Sequence, residues 1–164
     1  MPEFIPFRFK VSLFNVTDDA AKALVAQGAF SDISGLEISM SAKTIKEGGR
    51  NWGDVQLAGK TTFPTLVLKR GITDIDDLYA WIDISTRQAN YAYRMQGLIE
   101  VFDQNFSNST SSAQPILSWH IENAMAVKFK SADLSANASA VAIEELHLVH
   151  EGLQLTRRKP QGAA

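Results

Sequence analysis

Two histidines and a glutamate come closest to a metal site, because imidazole and carboxylate groups are ligands of Zn²⁺. They are His147, His150 and Glu151. On a helix, residues three apart lie on neighbouring faces and could share an ion. The surrounding alternation of apolar and polar residues and the closing Gly152 favour a strand, on which His147 and His150 point to opposite faces. We therefore predict no metal site here, and an ordinary sheet position for the isolated His120.

Adjacent carboxylates occur twice, as Asp76-Asp77 and as Glu144-Glu145. Neighbouring residues diverge in direction on a helix and on a strand alike, so neither pair is expected to act as an acid and base on one substrate. Asp76-Asp77 is better explained as negative charge at the start of a helix, where the helix dipole is positive.

Other signatures of catalysis are incomplete. Gly48-Gly49-Arg50 lacks the Lys-Ser/Thr of a phosphate loop and precedes no helix. Ser34-Gly35 lacks the G-x-S-x-G frame of a nucleophile elbow. The chain has no cysteine, which excludes disulfides, thiolate nucleophiles and cysteine-ligated zinc. We predict no catalytic, cofactor-binding or metal-binding residues, no cofactor, and a protein that is not an enzyme.

Alternating hydrophobicity predicts that most of the chain forms strands. The pattern is clean over residues 7–14, where Phe9, Val11 and Leu13 share one face. A second strand at 36–41 runs into Gly48-Gly49, a pair typical of a turn, and so predicts a hairpin over 38–55. Shorter versions of the pattern predict strands at 55–57, 66–70, 98–103, 116–121 and 141–150.

One amphipathic helix is predicted from Asp74 to about Asp83. Thr73 can cap its free amides, and the aspartates that follow complement the dipole. Its apolar stripe is Ile75, Leu78, Tyr79 and Ile82, which we expect to lie against the outside of the sheet. A second, short helix or helical turn is predicted within 16–27, closed by Gly28.

The composition is that of one globular domain. The chain has 164 residues and 18.0 kDa, with 45% apolar and 21% charged residues and a net charge of −2. No bulk field draws it to nucleic acid or to anionic lipid, and no apolar run has the length of a membrane span or the form of a signal peptide, which predicts synthesis in the cytosol. The tract at 107–115 is polar and predicts an exposed loop, and residues 156–164 form a basic tail. Together these features predict a mainly β protein, an antiparallel β-barrel or sandwich with one flanking α-helix.

Several short stretches, in order along nearly the whole chain, carry a family resemblance. They are residues 30–37 (FSDISGLE), 46–49 (KEGG), 68–74 (LKRGITD), Trp119 with 123–124 (NA), 133–136 (DLSA), 141–146 (VAIEEL) and 149–153 (VHEGL). The chain thereby resembles the tail tube proteins of contractile phage tails and of related bacterial contractile injection systems. It departs from them at Met125 and Ala126, where the family commonly has an aromatic residue and proline.

The resemblance implies a single tail-tube domain over residues 1–164 and a structural role. It implies a homo-hexameric ring that stacks into a hollow tube inside a contractile sheath. The implied partners are the sheath protein, baseplate and cap proteins, and a cargo of DNA or protein effector that passes through the lumen. It further implies synthesis in the bacterial cytoplasm, followed by incorporation into a tail or injection particle that can be released from the cell.

The residues themselves suggest how such a ring could form. The predicted strands at 36–40 and 98–102 lack the lysines and prolines that usually guard a free edge, so we expect these edges to pair between subunits. The hairpin at 38–55 is the predicted stacking contact. Glu37, Ser39 and Ser41 are candidates for the bore, although their polar faces fit ordinary solvent exposure equally well.

Three alternatives remain open from the sequence. The first is a tube protein of a type VI secretion-like system, which shares the architecture. The second is a ligand-binding β-barrel with an apolar cavity. A hydrolase with an unfamiliar site is the third, and the incomplete motifs make it the weakest.

Overall fold

The computed structural model describes residues 8–15, 24–28, 30–72, 76–89, 93–102, 114–137, 139 and 141–158. Within these residues the chain forms ten strands and one helix. In chain order they are β1 (Arg8–Asn15), β2 (Leu24–Gly28), β3 (Asp32–Ser34), β4 (Ser39–Ile45), β5 (Val55–Thr62), β6 (Leu66–Gly71), α1 (Asp77–Thr86), β7 (Met95–Phe102), β8 (Leu117–Lys130), β9 (Ile143–Val149) and β10 (Gly152–Arg157).

The long strand β8 joins two antiparallel sheets. Its first half pairs with β7 and β10, and its second half pairs with β9. Between the halves, Asn123 has a φ of 51°, a left-handed conformation that asparagine tolerates better than most residues. The Asn123 side chain donates a hydrogen bond to the Glu151 carboxylate at 2.6 Å, and the Glu151 amide donates to the Glu122 carbonyl at 3.0 Å. β9 and β10 therefore lie one after the other along β8, with β9 beside its second half and β10 beside its first half, and the strand is interrupted between them at residues 150–151.

The first sheet has the order β2-β1-β7-β8-β10, and the second has the order β8-β9-β6-β3. The path ends at β2 and β3, so the sheet is not closed into a barrel, and a sandwich-like arrangement fits. One hydrophobic core includes Leu13 and Ile99 of the first sheet with Leu68 and Leu148 of the second. Of the two predicted architectures, a mainly β sandwich with one flanking helix is confirmed.

Helix α1 begins at Asp77 and contacts β8 and β2. Leu78 is buried as predicted, and Ile82 packs against the core. Tyr79 is 43% exposed and was wrongly assigned to the buried stripe, because the face is centred on Trp81, which is 1% exposed. Trp81, the largest apolar side chain of the helix, sets this rotation. Thr73, Asp74 and Ile75 lie outside the described residues.

Two other predictions need correction. The predicted helical segment at 16–27 is wrong over 24–28, where β2 pairs with β1 so that Leu13 faces Ala26; residues 16–23 lie outside the described part of the chain. The alanines spaced along this segment imitate a helical stripe, but pairing with β1 decides the structure. The strand predicted at 36–41 begins only at Ser39, after Gly35, whose φ of 93° is a conformation suited to glycine.

The remaining predicted strands are confirmed, and β5 and β8 are longer than expected. Of the polar loop at 107–115, only 114–115 are described, so its exposure stays a prediction. Thr156 and Arg157, the first residues of the predicted basic tail, belong to β10.

Candidate interaction surfaces

The β4–β5 hairpin forms a separate two-stranded sheet. Ser39 faces Thr62 at its base and Ile45 faces Val55 near its tip. At the tip, Gly48 and Gly49 form the predicted turn, and Gly49 has a φ of 83°. Neither strand pairs with any other described strand. Within the described part of the chain, this segment therefore forms an arm that joins the sandwich through its base.

The hairpin is exposed on both faces, and several of its apolar side chains are exposed with it. Trp52, beside the tip, is 91% exposed. Met40, Ile45 and Leu57 are also exposed along the strands. A two-stranded hairpin is only marginally stable alone in water, and clustered exposed apolar side chains mark interaction sites. Trp52 was not among the residues predicted from the sequence to form contacts, although an aromatic residue between Asn51 and Gly53 in a turn is a signal of such a site.

The base of the hairpin is fixed to the sandwich. The Phe63 ring lies 5.1 Å from the His150 ring between centroids. Burial lowers the pKa of His150, although its ring nitrogen Nδ1 lies 3.1 Å from the Gly152 carbonyl oxygen. A side chain at Gly35 would collide with the Thr65 carbonyl, so the two chain segments of the base approach closely. The arm thus has a defined origin beside the start of β6.

The free edges of the sandwich differ from those predicted. Residues 98–102 lie in β7, which is paired on both sides by β1 and β8, so the prediction of an edge there is wrong. β7 was misjudged because apolar composition does not distinguish an interior strand from an unguarded edge. Among the described strands, β2, β3 and β10 of the sandwich each pair on one side only, and so do β4 and β5 of the hairpin. The edge predicted at 36–40 is therefore found over Ser39 and Met40 of β4. The first sheet therefore has free edges at both of its sides, β2 and β10.

The outward face of the first sheet is predominantly polar. Cross-strand neighbours form two rows: Lys10, Glu100, Ser118 and Thr156 in one, and Leu98, His120 and Gln154 in the other, which continues to the buried Ser12. Next to them the Gln154 amide donates to the Glu122 carboxylate at 3.1 Å. We call this surface the polar face. The earlier bore candidates lie elsewhere: Ser39 and Ser41 are on the hairpin, and the Ser39 hydroxyl donates to the Glu37 carboxylate at 2.9 Å.

An open groove of about 340 Å³ lies at the end of the second sheet. Its walls are residues 130–135, 141–143 and Glu145, and we call it the far-end groove. Leu134 and Val141 in its lining are 92% and 78% exposed. The amide of the neighbouring Ile72 donates to the Ala142 carbonyl at 3.0 Å. The groove is therefore a second place where apolar surface faces solvent.

A buried ion cluster attaches α1 to the second sheet. Arg70 on β6 donates to the carboxylates of Asp77 and Glu144, with one of these contacts at 3.1 Å to Asp77. Burial alone would lower the pKa of Arg70, but these hydrogen bonds raise it above its ordinary value. The guanidinium also lies 5.8 Å from the centroid of the Phe30 ring. Asp77 therefore does more than complement the helix dipole, which sequence reasoning missed.

The adjacent carboxylates have different partners, as expected from their diverging directions. Glu145 contacts Lys69 at 3.5 Å and His147 at 3.3 Å on the opposite side of β9 from Glu144. The hydrogen bond with His147 lowers the pKa of Glu145. His147 lies on β9 and His150 follows it, and no group of three potential metal ligands occurs among the described residues.

Comparison with known proteins yields a family match and a set of related folds. Residues 5–154 match the family described as T4-like virus tail tube protein gp19. No curated protein sequence matches the chain. No helix in the described ranges has the length and hydrophobicity needed to cross a membrane.

The similar solved structures are chains of contractile assemblies and of Hcp proteins. A chain in the cryo-EM structure of the anti-feeding prophage (AFP) baseplate has a TM-score of 0.77 and 22% identity, over 96% of this chain and 97% of that one. A chain in the sheath-tube complex of the extracellular contractile injection system PVC, in its extended state, has 0.75 and 19%, over 96% and 93%. Hcp1 from Flavobacterium johnsoniae has 0.53 and 12%, over 90% and 95%.

Proposed function

Because this chain belongs to the T4-like virus tail tube protein family, we propose that it is the subunit of the inner tube of a contractile injection system or phage tail. In this proposal it forms homo-hexameric rings that stack into a hollow conduit. The whole chain, 1–164, acts as one tail-tube domain, and its role is structural, without catalysis.

The projecting hairpin is the observation that carries the proposal. Its exposed apolar side chains, with Trp52 91% exposed, have no cover within the described chain. A monomer gains nothing from such an arm, whereas a subunit of a polymer can bury it against a neighbour. The hairpin predicted from Gly48-Gly49 is thus the element that we assign to stacking between rings.

Ring closure uses the two free edges of the first sheet. Among the strands that the structure describes, β2 and β10 each pair on one side only. If β10 of one subunit pairs with β2 of the next, main-chain hydrogen bonds extend the sheet from subunit to subunit. Such a contact joins two different surfaces and closes only when the rotation per subunit divides a full turn, here one sixth.

The polar face then becomes the wall of the bore. The opposite face of the first sheet is covered by the core, which includes Val11, Ile99 and Ile121. Only the polar face is left to line a lumen. Lys10, Glu100 and Glu122 give this face both positive and negative charges. A surface of mixed charge offers no strong binding site to a cargo of DNA or of protein effector.

The assembled particle supplies the remaining partners. The similar chains come from structures of a baseplate, a sheath-tube complex and a tube-terminating cap. We propose corresponding contacts for this chain with a contractile sheath, a baseplate and a cap. Synthesis in the bacterial cytoplasm precedes assembly into the tail or into a particle released from the cell.

A type VI tube protein is the second candidate, because Hcp1 shares the fold at a TM-score of 0.53. The higher score of 0.77 for the AFP baseplate chain favours the first. The ligand-binding barrel loses support because the sheet path ends at β2 and β3 without closing.

Chemical crosslinking of the purified chain tests the ring. Short-time glutaraldehyde treatment at low protein concentration should give a ladder of bands that accumulates at the hexamer. An 18.0 kDa species that persists at every concentration, with a copurifying small molecule, would support the ligand-binding barrel instead.

A further inference from the structure

We propose that the far-end groove receives Trp52 from the hairpin of a second copy of this chain, so that subunits associate head to tail. The inference rests on the proposed tube function and names the site that accepts the hairpin. It predicts an axial contact between two different surfaces of identical subunits.

The hairpin base and the groove lie at opposite ends of the second sheet. β6 begins at Leu66, directly after the hairpin base, and ends at Gly71, which pairs with Ile143 of the groove. Six residues of strand separate the two points by about 17 Å. None of the residues that line the groove belongs to the hairpin. A projecting arm and a recess at opposite ends of one sheet can meet only between two copies of the chain. The same contact can then be repeated from each copy to the next.

The chemistry of the groove suits an aromatic anchor. Leu134, Val141 and Ile143 supply exposed apolar side chains, and Asp133 offers an acceptor for the indole N–H. Tryptophan buries a large apolar area and still needs a hydrogen-bond partner for its nitrogen. It is also among the residues most often found as energetic anchors of interfaces, seated in a pocket with a polar rim.

The charges of the two surfaces have opposite signs. The hairpin, β4 to β5, carries four basic and two acidic side chains. The groove lining carries one basic side chain, Lys130, and two acidic side chains, Asp133 and Glu145, of which Glu145 also contacts Lys69 at 3.5 Å. Opposite net charge favours contact between hairpin and groove and disfavours contact between two hairpins. The charges therefore favour a second copy of this chain as the partner that binds in the far-end groove.

The absence of cysteine allows a direct test. Trp52→Cys and Leu134→Cys are introduced together and singly, and each assembled sample is treated with a short bis-maleimide. The double variant should give a ladder of dimers, trimers and longer products on denaturing gels. A mixture of the two single variants should stop at the dimer, and each single variant alone should stay monomeric. Ala58→Cys with Leu134→Cys is the matched control, since Ala58 lies in β5 on the same arm but away from the tip, and it should give no ladder.

The outcomes separate this inference from the proposed function. Tubes that form normally but show no crosslinking between positions 52 and 134 overturn the groove and leave the tube function standing. Dimers from Trp52→Cys alone would mean that two hairpins meet, which also overturns it. If the unmodified chain forms neither rings nor tubes, the proposed function fails.

A second measurement covers variants that do not assemble. In unmodified protein, acrylamide should quench the indole of Trp52 in free subunits and lose access to it in tubes, whereas the buried Trp81 is shielded in both. The quenching difference should be much smaller in Trp52→Phe, in which the buried Trp81 and the half-buried Trp119 are the remaining tryptophans. Equal quenching of free and assembled unmodified chain would contradict the proposal.

Discussion

Replacing Arg70 by methionine should strongly destabilise the subunit. The Arg70 side chain is 4% exposed, and its partners Asp77 and Glu144 are 10% and 11% exposed. Methionine keeps most of the aliphatic packing but leaves two carboxylates without their cation. Removing one partner of a buried ion pair costs about 3–5 kcal/mol. For a domain of this size, that corresponds to a fall in melting temperature of roughly 6–20 °C.

The neighbouring residue supplies a matched control. Lys69 pairs with Glu145 on the exposed side of the same two strands, at 3.5 Å. Exposed ion pairs contribute little to stability because water screens them, so Lys69→Met should change the melt far less. Both variants are compared by urea unfolding of dispersed subunits at equal concentration, since assembly itself adds stability.

A triple variant separates unpaired charge from lost packing. Arg70→Met combined with Asp77→Asn and Glu144→Gln removes every charge of the cluster and should recover most of the lost free energy of unfolding. If Arg70→Met unfolds at the same urea concentration as Lys69→Met, the cluster does not stabilise the attachment of α1 and this reasoning is refuted.

Three further predictions concern the helix, the hairpin and pH. Leu78→Ala should lower the free energy of unfolding by about 2–5 kcal/mol, whereas Tyr79→Ala on the exposed face should change it little, and equal effects would contradict the rotation of α1. Gly59→Ala places a methyl group against a backbone carbonyl of the facing strand, so it should prevent tube formation in electron micrographs while the melting temperature of the subunit is unchanged. The control Gly48→Ala, at a position with open space around it, should assemble normally. Normal tubes from Gly59→Ala would show that the hairpin is not part of the interface. Burial lowers the pKa of His150 below its ordinary value, so the unfolded chain binds the proton first and the free energy of unfolding should fall as pH drops below about 6.5. If the urea midpoint of His150→Gln changes with pH as much as that of the unmodified chain, groups other than His150 cause the change.

Strands with a regular pattern could be predicted from the sequence because a half-buried sheet imposes alternation. β1 is the clearest case, with Val11 and Leu13 in the core. β2 was missed because its short sequence, LVAQG, carries no strand period, and its structure comes from pairing with β1. The face of α1 was misplaced for a related reason, since the position of Trp81 depends on the shape of the core.

The interaction surfaces were only partly predictable. Gly48-Gly49 requires a turn wherever it lies, so the hairpin could be anticipated from local chemistry. The free edges at β2 and β10 could not, because they depend on which strands neighbour each other in space. The Arg70–Glu144 pair joins residues 74 positions apart in the sequence, and no local pattern contains that information.

Negative-stain electron microscopy of the purified, untagged chain tests the central claim most directly. The proposal predicts end-on views of six-fold rings with a central hole, and side views of rings stacked into tubes as concentration rises. Particles that remain single subunits at every concentration tested, or rings with a different symmetry, would contradict it.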